Sequence, residues 1–372
     1  MRRLRAGFPA RRSLRAIGAA ASVAVAAAAL VTVLAAAAGH DPLRALDALW
    51  RGSLGSEYAL FSGTLLRATP LILTGLAVTI AFTAGVMNIG AEGQLLAGGM
   101  AATAVGFSVG SMSAWVAVPA ALIGGVAAGA AWASVPAWLR RRYGVLEVIS
   151  TIMMNFVALY LVGYLVRGPL QEPTRIYPQS SPLPEAVRLP LVADTRLHIG
   201  FAIALVCALG MWWTLRMTAA GFRVRVIGAN PDAARSAGLV DVRATTFRTF
   251  LVSGGLAGLA GAVEVMGVTY TLYENLSPGY GYTAIAVALV GALNPLLTAV
   301  SGVFFGALEA GASAMQRDAG IPSVLATIVE AGLILLLLAV SLVRLRLARD
   351  GARAGFLRIP GARAGVFSGD SP

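Results

Sequence analysis

The chain has 372 residues, of which 58% are apolar and only 12% are charged, and its mean hydropathy is +0.77. A soluble domain carries about 25% charged residues, so this chain has too few charges to cover a surface that faces water, and lipid must face much of it. The formal net charge is +12, but the basic residues lie between and beyond the apolar segments rather than in one patch, which argues against nucleic-acid binding.

The chain begins with a basic stretch, residues 1–16, followed by an Ala- and Val-rich run over residues 17–38. A basic start before an apolar run is also the pattern of an export signal, and Arg11 with Arg12 resembles its twin-arginine form. Because the run is longer than the roughly 7–15 residues of a signal core, an uncleaved first membrane helix is favoured over a removable signal peptide.

Further apolar segments follow, and most approach the roughly 20 residues that cross a hydrocarbon core. They cover residues 65–86, 92–109, 114–137, 145–166, 199–215, 246–270, 280–293, 296–315 and 322–343. The sequence therefore predicts an all-α polytopic membrane protein with about ten transmembrane helices.

The distribution of arginine predicts the orientation. If the N-terminus is cytoplasmic and each segment crosses once, 21 arginines fall in cytoplasmic segments and 8 outside. Cytoplasmic loops carry the excess of basic residues, so we expect both termini in the cytoplasm. This gives a basic N-terminus at 1–16, a transmembrane domain at 17–343, and a tail at 344–372 whose Gly, Arg and Ala composition is typical of disorder.

Two connecting loops are long. The loop at 167–198, expected on the periplasmic side, contains six prolines and so cannot form a regular helix. It is either a docking or lid element or a plain connector. The other loop, 217–245, is expected in the cytoplasm.

The cytoplasmic loop contains the signals of a short helix. Asn230 is a good N-cap, Pro231 suits the first helical position, Asp232 complements the positive end of the helix dipole, and Gly238 is a typical terminator. A short rigid helix of this kind either seats in a groove of another protein or serves as a turn between two spans.

Two glycine-rich stretches, near 85–94 and 277–284, interrupt apolar runs. In the first, Asn88, Glu92 and Gln94 are costly in lipid and must face protein, water or the interface. The glycines permit an irregular backbone, as in the broken helices that line transport paths, although an ordinary hairpin turn accounts for them almost as well. The two discontinuous stretches suggest two related halves.

Other polar residues lie within the predicted spans. Glu147, Thr151 and Asn155 recur every four residues and share one helical face, which indicates either an aqueous path or a hydrogen-bonded seam between helices. Gly254 and Gly258 form part of a small-residue ridge that predicts tight helix packing.

Glu264, Glu309 and Glu330 are acids within apolar runs. Each is a candidate pathway or gating residue, and a pairing with an arginine near a span end is equally consistent with the sequence.

The absence of some residue types excludes several functions. All 29 basic residues are arginine, and a P-loop needs a lysine, so this chain is not a Walker-type ATPase. With one cysteine and two histidines, we expect no metal site and no catalytic centre.

Several stretches together resemble the inner-membrane permeases of ABC importers in the ribose, branched-chain amino acid and nucleoside group, most closely the nucleoside and simple-sugar permeases. The stretches are 87–94 (MNIGAEGQ), 146–155 (LEVISTIMMN), 168–173 (GPLQEP), 259–264 (LAGAVE), 278–289 (PGYGYTAIAVAL) and 315–322. Met87 and Ala91 depart from the residues more common in that family, which leaves the substrate contacts open.

The resemblance implies the function and the partners. The chain would be the membrane-spanning subunit of an importer of nucleosides or related simple sugars in the bacterial inner membrane. A separate ABC ATPase would hold ATP-Mg, and this chain would hold no cofactor. The further partners would be a second permease chain, usually a different protein, and an extracytoplasmic substrate-binding lipoprotein.

The resemblance also suggests roles for particular residues. The residues expected to contact the ATPase are Gly221, Arg225, Gly228, Asn230, Pro231, Ala233, Ala234 and Gly238. The candidates for the translocation path are Asn88, Glu92, Gln94, Glu147, Thr151, Asn155, Glu264, Tyr280 and Tyr282, of which the tyrosines could stack on a base. An ion-coupled secondary transporter of a small polar solute is the alternative, since intramembrane acids suit ion coupling.

Overall fold

The computed structural model describes residues 25–335, apart from 239, 323, 325–326, 330 and 333–334. Within this part the chain is almost entirely helical, and its extended segments pair only at three isolated bridges. The predicted N-terminal stretch at 1–16, the tail at 344–372 and Glu330 lie outside the described residues. The predicted domain boundaries at 17 and 343 do too, so that division stays a prediction.

The helices are numbered in chain order. They are α1 (Val25–Ala37), α2 (Pro42–Ser53), α3 (Leu66–Thr83), α4 (Ala91–Val109), α5 (Ala114–Tyr143), α6 (Glu147–Arg167), α7 (Gly200–Met217), α8 (Ala219–Ala229), α9 (Pro231–Ser236), α10 (Val242–Glu264), α11 (Tyr280–Val290) and α12 (Pro295–Ala319). A π-helical stretch, Ala59–Leu65, leads into α3, and another, Val265–Thr269, extends α10.

Six of the described helices are long and apolar enough to cross a membrane. They are Ala59–Thr83, Ala114–Tyr143, Glu147–Arg167, Gly200–Met217, Val242–Thr269 and Pro295–Ala319. The all-helical polytopic class is therefore confirmed, but the predicted count of about ten is not. The 11 residues of α11 extend only about 16 Å, so the predicted span at 280–293 cannot cross alone. The first and last predicted spans are only partly described.

The helices form a buried centre and an exposed periphery. The most apolar windows of α3 and α10, with their π-helical extensions, are 83% and 78% buried, against 22% for α5 and 28% for α7. The outer helices expose large apolar side chains, such as Trp115 on α5 and Val206 on α7. Because exposed apolar residues at this density suit lipid rather than water, the outer helices make the lipid-facing surface.

Glycines allow the central helices to touch backbone to backbone, as the small-residue ridge predicted. Gly258 of α10 lies against Gly125 and Gly129 of α5 and against Gly98 of α4. A Cβ at Gly258 would lie 2.8 Å from the Cα of Gly129, which is too close for any side chain. The contact among α4, α5 and α10 therefore depends on residues without side chains.

Helix α2 is not among the apolar segments predicted from the sequence. Asp41 caps this helix and Pro42 opens it, while Ala45 and Ala48 are buried and Arg51 is exposed. The helix packs on α12, where Leu49 lies against Gly311. Because its apolar residues form one stripe rather than a continuous run, hydropathy alone cannot find it.

The proline-rich loop after α6 is an ordered cap rather than a helix, as its prolines predicted. Its only helical turn is the 3-10 turn Glu185–Val187. The backbone N–H of Leu183 donates to the carbonyl of Tyr270 at 2.7 Å, and that of Leu189 donates to Met266 at 2.9 Å. Leu183 and Leu189 are buried, so the loop is anchored to the end of α10. A docking role for it stays a prediction.

Candidate functional site

The loop at 217–245 folds into two short helices, and the second is the one that the sequence predicted. The Oδ1 of Asn230 accepts hydrogen bonds from the N–H groups of Asp232 and Ala233, each at 3.0 Å. Pro231 occupies the first turn of α9, and Gly238 follows the helix with a φ of +65°. The N-cap and the left-handed terminator therefore fix both ends of α9.

Glycines attach α8 to the membrane helices. Gly221, at its start, lies against the backbone of Thr214 and Leu215 at the end of α7. Gly228, at its end, lies against the carbonyl of Thr83 at the end of α3. Because neither site has room for a Cβ, α8 is held directly on the ends of two membrane helices.

An apolar groove separates α8 from α9. It encloses about 270 Å³ and is lined by Phe222, Val226, Ala229, Asn230, Ala233, Ala234, Ala237 and Val240. Ala233 is exposed, whereas Ala234 is buried against Ile227 and Val240. Of the predicted ATPase contacts, Arg225 is exposed on α8 and Gly221 is buried. The loop therefore presents a small apolar surface with a rigid helix on one side.

The irregular segment between α3 and α4 is held by a buried polar network. The Nδ2 of Asn88 donates to the Oε1 of Gln94 at 3.0 Å and to the Oγ of Ser253 at 2.9 Å. The Nε2 of Gln94 donates back to the Oδ1 of Asn88 at 3.0 Å, and Ser253 donates to the carbonyl of Ala77 at 2.7 Å. The network thus joins α3, α4 and α10.

The polar face of α6, which carries Glu147, Thr151 and Asn155, lies against this segment. Asn155 forms hydrogen bonds to the neighbouring backbone, as in a hydrogen-bonded seam between helices. The Oδ1 of Asn155 accepts from the N–H of Gly93 at 2.8 Å, and its Nδ2 donates to the carbonyl of Ile89 at 3.0 Å. Glu147 forms an ion pair with Arg140 at 2.7 Å. Thr151 is buried and donates to the backbone of its own helix. A pathway role for Glu147, Thr151 and Asn155 stays a prediction.

The two predicted discontinuous segments meet in space. The carboxylate of Glu92, in the first turn of α4, accepts a hydrogen bond at 2.7 Å from the N–H of Gly281, in the first turn of α11. Gly279 precedes α11 with a φ of +103°, so the chain turns sharply before that helix begins. Helices α4 and α11 therefore start next to each other inside the protein.

A cavity of about 590 Å³ opens beside the start of α11. It is lined by Arg67, Glu264, Tyr273, Asn275, Leu276, Pro278, Gly279, Tyr280, Tyr282, Thr283, Glu309, Ala312, Ser313, Val324 and Thr327. The guanidinium of Arg67 donates to the Oγ of Ser313 at 3.3 Å. Glu264 is buried, and its Oε2 has no hydrogen-bond partner among the described residues.

Comparison with known proteins identifies the family. Residues 60–340 match the family model described as the permease component of the branched-chain amino acid transport system. The chain belongs to this permease family. It is 37% identical over 309 residues to the glucose ABC transporter permease TsgB13 of Haloferax volcanii, covering 80% of each chain.

Two further relatives have nucleosides in their names. The permease is 38% identical over 301 residues to the guanosine ABC transporter permease NupP of Bacillus subtilis, covering 80% of this chain and 86% of that one. It is 30% identical over 312 residues to the nucleoside ABC transporter permease NupB of Lactococcus lactis, covering 81% and 85%. Family membership and the apolar helices together make this chain a multi-pass membrane protein and a transport subunit rather than an enzyme.

In the structure, the residues predicted for the translocation path fall into two groups. Glu264, Tyr280 and Tyr282 line the cavity. Asn88, Glu92, Gln94, Glu147, Thr151 and Asn155 instead form the contacts around the starts of α4 and α6 described above. Arg67 is one of the eight arginines expected outside, and its place in the cavity was not predicted. The signal that could have indicated it is the position of Arg67 within the apolar run 65–86.

Proposed function

We propose that this permease is the membrane-spanning subunit of an ATP-binding cassette importer that carries nucleosides or related simple sugars into the bacterial cell. The names of its relatives support the transporter class and the substrates. The observation that carries the proposal is the cytoplasmic loop, where the capped helix α9 stands beside an apolar groove and α8 is fixed to the ends of α3 and α7. Such a surface suits the docking of an ATPase subunit.

The chain lacks the lysine that a P-loop requires, so ATP hydrolysis would take place in another subunit. We assign ATP-Mg to a separate ABC ATPase bound at the α8–α9 groove. A binding lipoprotein delivers the solute to the outer face, where the loop at 167–198 lies. A second permease chain, a different protein, completes the pore. Both termini and the α8–α9 loop are cytoplasmic.

A continuous series of contacts links the loop to the cavity. Gly228 of α8 touches Thr83 of α3, and the segment after α3 leads to Glu92, whose carboxylate holds Gly281 of α11. Tyr282, one residue on, lines the cavity. When the ATPase moves α8, this series carries the displacement to the start of α11 and switches the cavity between outward and inward access.

The coupling role is tested by adding a charge to the groove. Ala233→Asp introduces a desolvation cost where the ATPase docks, so we expect uptake and substrate-stimulated ATP hydrolysis to fall about tenfold or more. Ser236→Asp adds the same charge to the same helix outside the groove lining and is expected to retain both activities. Ala234 is unsuitable because it is buried, and an aspartate there would disturb the fold of the loop.

Insertion of both variants is checked by membrane fractionation and size-exclusion chromatography. If Ala233→Asp keeps full stimulated hydrolysis while inserting normally, the groove is not the docking site and the assignment of the loop is wrong.

An ion-coupled secondary transporter is the second candidate, because the buried carboxyl group of Glu264 lines the cavity. The two functions differ in their energy source. Proteoliposomes that contain the importer with and without its ATPase should take up nucleoside only with the ATPase and ATP. Uptake driven by a proton or sodium gradient in liposomes without the ATPase would establish the secondary transporter instead.

A further inference from the structure

The cavity beside α11 is large enough to hold a small solute. Its volume of about 590 Å³ lies within the roughly 300–1,000 Å³ of ligand sites. Its walls come from α3, α10, α11 and α12, from residues 273–279 before α11 and from the segment that follows α12, so four helices and two adjoining segments meet there. A movement of α11 would change its shape.

Glu264 gives this cavity an unsatisfied acceptor. The side chain is 4% exposed, and its Oε2 makes no hydrogen bond to any described residue. Buried polar atoms in native proteins are nearly always hydrogen-bonded, and an unpaired one is destabilising. An acceptor of this kind at a cavity wall is suited to a donor that arrives with the solute.

The cavity wall disfavours an anion. Among the described lining residues, Arg67 is the one basic side chain, and its guanidinium already donates to the Oγ of Ser313. A phosphate or a free carboxylate would lose its hydration in the cavity without an unengaged cation among these residues, and burying an unpaired charge is costly.

The start of α11 offers no anion site either, although helix N-termini often do. The N–H groups of Gly279 and Tyr280 donate to the Oγ of Ser277 at 3.1 and 3.0 Å. The N–H of Gly281 donates to Glu92, and those of Tyr282 and Thr283 donate to the carbonyl of Gly279. The first-turn donors are thus used within the protein.

An aromatic surface completes the site. Tyr282 is 44% exposed while lining the cavity, and its hydroxyl accepts a hydrogen bond from Asn155 at 3.3 Å, which fixes the ring in place. Tyr273 is half-buried in the same wall. Tyrosine rings stack on nucleobases of every type, because each base has a π-face.

We propose that the cavity is a transit site for an uncharged nucleoside, in which the unpartnered carboxyl oxygen of Glu264 accepts a hydrogen bond from a sugar hydroxyl and the ring of Tyr282 stacks on the base. This inference rests on the function proposed above and adds the residues and the charge class of the solute. Nucleotides and other phosphorylated solutes are excluded because Arg67 and the first-turn N–H groups of α11 are already used within the protein.

Transport by the complete importer tests the two residues. Proteoliposomes carry the permeases with their ATPase, and binding protein loaded with tritiated nucleoside is supplied in excess, so that uptake reports passage rather than capture. Glu264→Leu and Tyr282→Leu are each expected to lower the uptake rate about tenfold, because the first removes the hydrogen-bond acceptor and the second removes the stacking surface. Glu57→Leu, at an exposed glutamate before α3, is the matched control.

A labelling experiment tests occupancy without altering either residue. Cys207 is the only cysteine, so Cys207→Ser provides a cysteine-free chain, and Thr327→Cys adds a thiol at an exposed lining position. Within the assembled importer, an added nucleoside should slow modification of this thiol by a methanethiosulfonate reagent at least twofold. The matching nucleoside monophosphate should leave the rate unchanged.

The outcomes separate the two proposals. Absence of nucleoside uptake by the unaltered importer would refute the proposed function and the inference with it. Normal uptake by both variants, or equal protection by nucleoside and nucleotide, would overturn the cavity assignment and leave the importer function standing. If Glu264→Leu fails to insert, Tyr282→Leu and the labelling of the chain with Glu264 intact decide the question.

Discussion

Asn88 connects three helices although it lies in a segment without regular structure. Its amide donates to Gln94 and Ser253, and its carbonyl oxygen accepts from Gly90 and Gln94. In the absence of water, a buried polar group must find such partners within the protein. The amide of Asn88 therefore fixes the irregular backbone between α3 and α4.

Replacement of Asn88 by alanine should destabilise the fold. Asn88→Ala leaves the amide of Gln94 and the hydroxyl of Ser253 with fewer partners, and we expect a loss of about 1–3 kcal/mol of unfolding free energy. Ser108→Ala removes an exposed hydroxyl that bonds only to Ala104 in its own helix, and it should change stability by less than about 0.5 kcal/mol. Thermal unfolding in detergent compares the two. Equal stability of both variants would contradict the structural role of the network.

Two helical glycines give a second test at the residue scale. Gly258→Ala would place a Cβ against the backbone of α5, and such overpacking costs about 1–3 kcal/mol. At Gly210 of α7 nothing lies within 4 Å of the added Cβ, so Gly210→Ala should be neutral or stabilising by up to about 1 kcal/mol. Tryptophan fluorescence during heating measures both. A Gly258→Ala variant as stable as the unaltered chain would show that α5 and α10 separate easily.

The type of a polar residue did not predict which groups surround it in the fold. Asn155 and Glu264 are both polar residues in apolar runs, yet Asn155 bonds to a neighbouring backbone and Glu264 lines a cavity. The difference arises from which residues the fold brings opposite each one, and those lie far away in the sequence. Arg67 and Ser313, 246 positions apart, could not have been paired by reading the chain.

At the scale of elements, local signals were reliable where they act within a few residues. Asn230, Pro231 and Gly238 fixed the ends of α9 because capping is a short-range interaction. The number of membrane crossings was harder to predict. Helix α11 ends after 11 residues, and it lies in the interior because of its neighbours and not because of its length. An amphipathic element such as α2 is stabilised by α12, which no local pattern reveals.

The proline-rich loop contains a pH-sensitive anchor at its end. His198 lies before α7, fully buried, with its Nδ1 accepting from the N–H of Gly200 at 3.1 Å. Burial lowers the pKa of this imidazole from 6.5 to about 4. The folded chain therefore binds fewer protons than the unfolded chain between these two pH values, and stability is full above pH 6.5 and falls as the pH drops toward 4.

We expect the anchored end of this loop to lose about 2 kcal/mol of local stability between pH 7 and pH 5, at 1.36 kcal/mol for each pH unit below 6.5. Hydrogen exchange of residues 190–200 in detergent measures this change. His198→Asn keeps an acceptor for Gly200 but does not titrate, so its exchange should lack the additional acid dependence. An identical pH profile in both chains would show that His198 does not control the loop.

At the scale of the whole molecule, buried central helices are surrounded by helices with exposed apolar surface. The central helices α3 and α10 carry the discontinuities and the cavity, and the exposed α5, α6 and α7 surround them with apolar surface. The features assigned to coupling and to passage are thus joined by the most buried helices. A rigid connection of this kind suits a protein that must convert a movement at one face into access at the other.

The arginine excess and the position of α7 predict the orientation of the molecule. This helix of 18 residues, about 27 Å long, separates the proline-rich loop from the α8–α9 loop. We therefore expect the two loops on opposite sides of the membrane and, because basic residues tend to remain inside, the α8–α9 loop in the cytoplasm.

Single cysteines test this orientation in the Cys207→Ser chain. An impermeant maleimide should label Asp194→Cys, an exposed position in the proline-rich loop, on intact cells. Ser236→Cys, exposed on α9, should react only after permeabilisation. The reverse pattern would invert the molecule and place the proposed docking groove out of reach of any cytoplasmic ATPase. Labelling of both positions from one side would instead show that α7 does not cross the membrane.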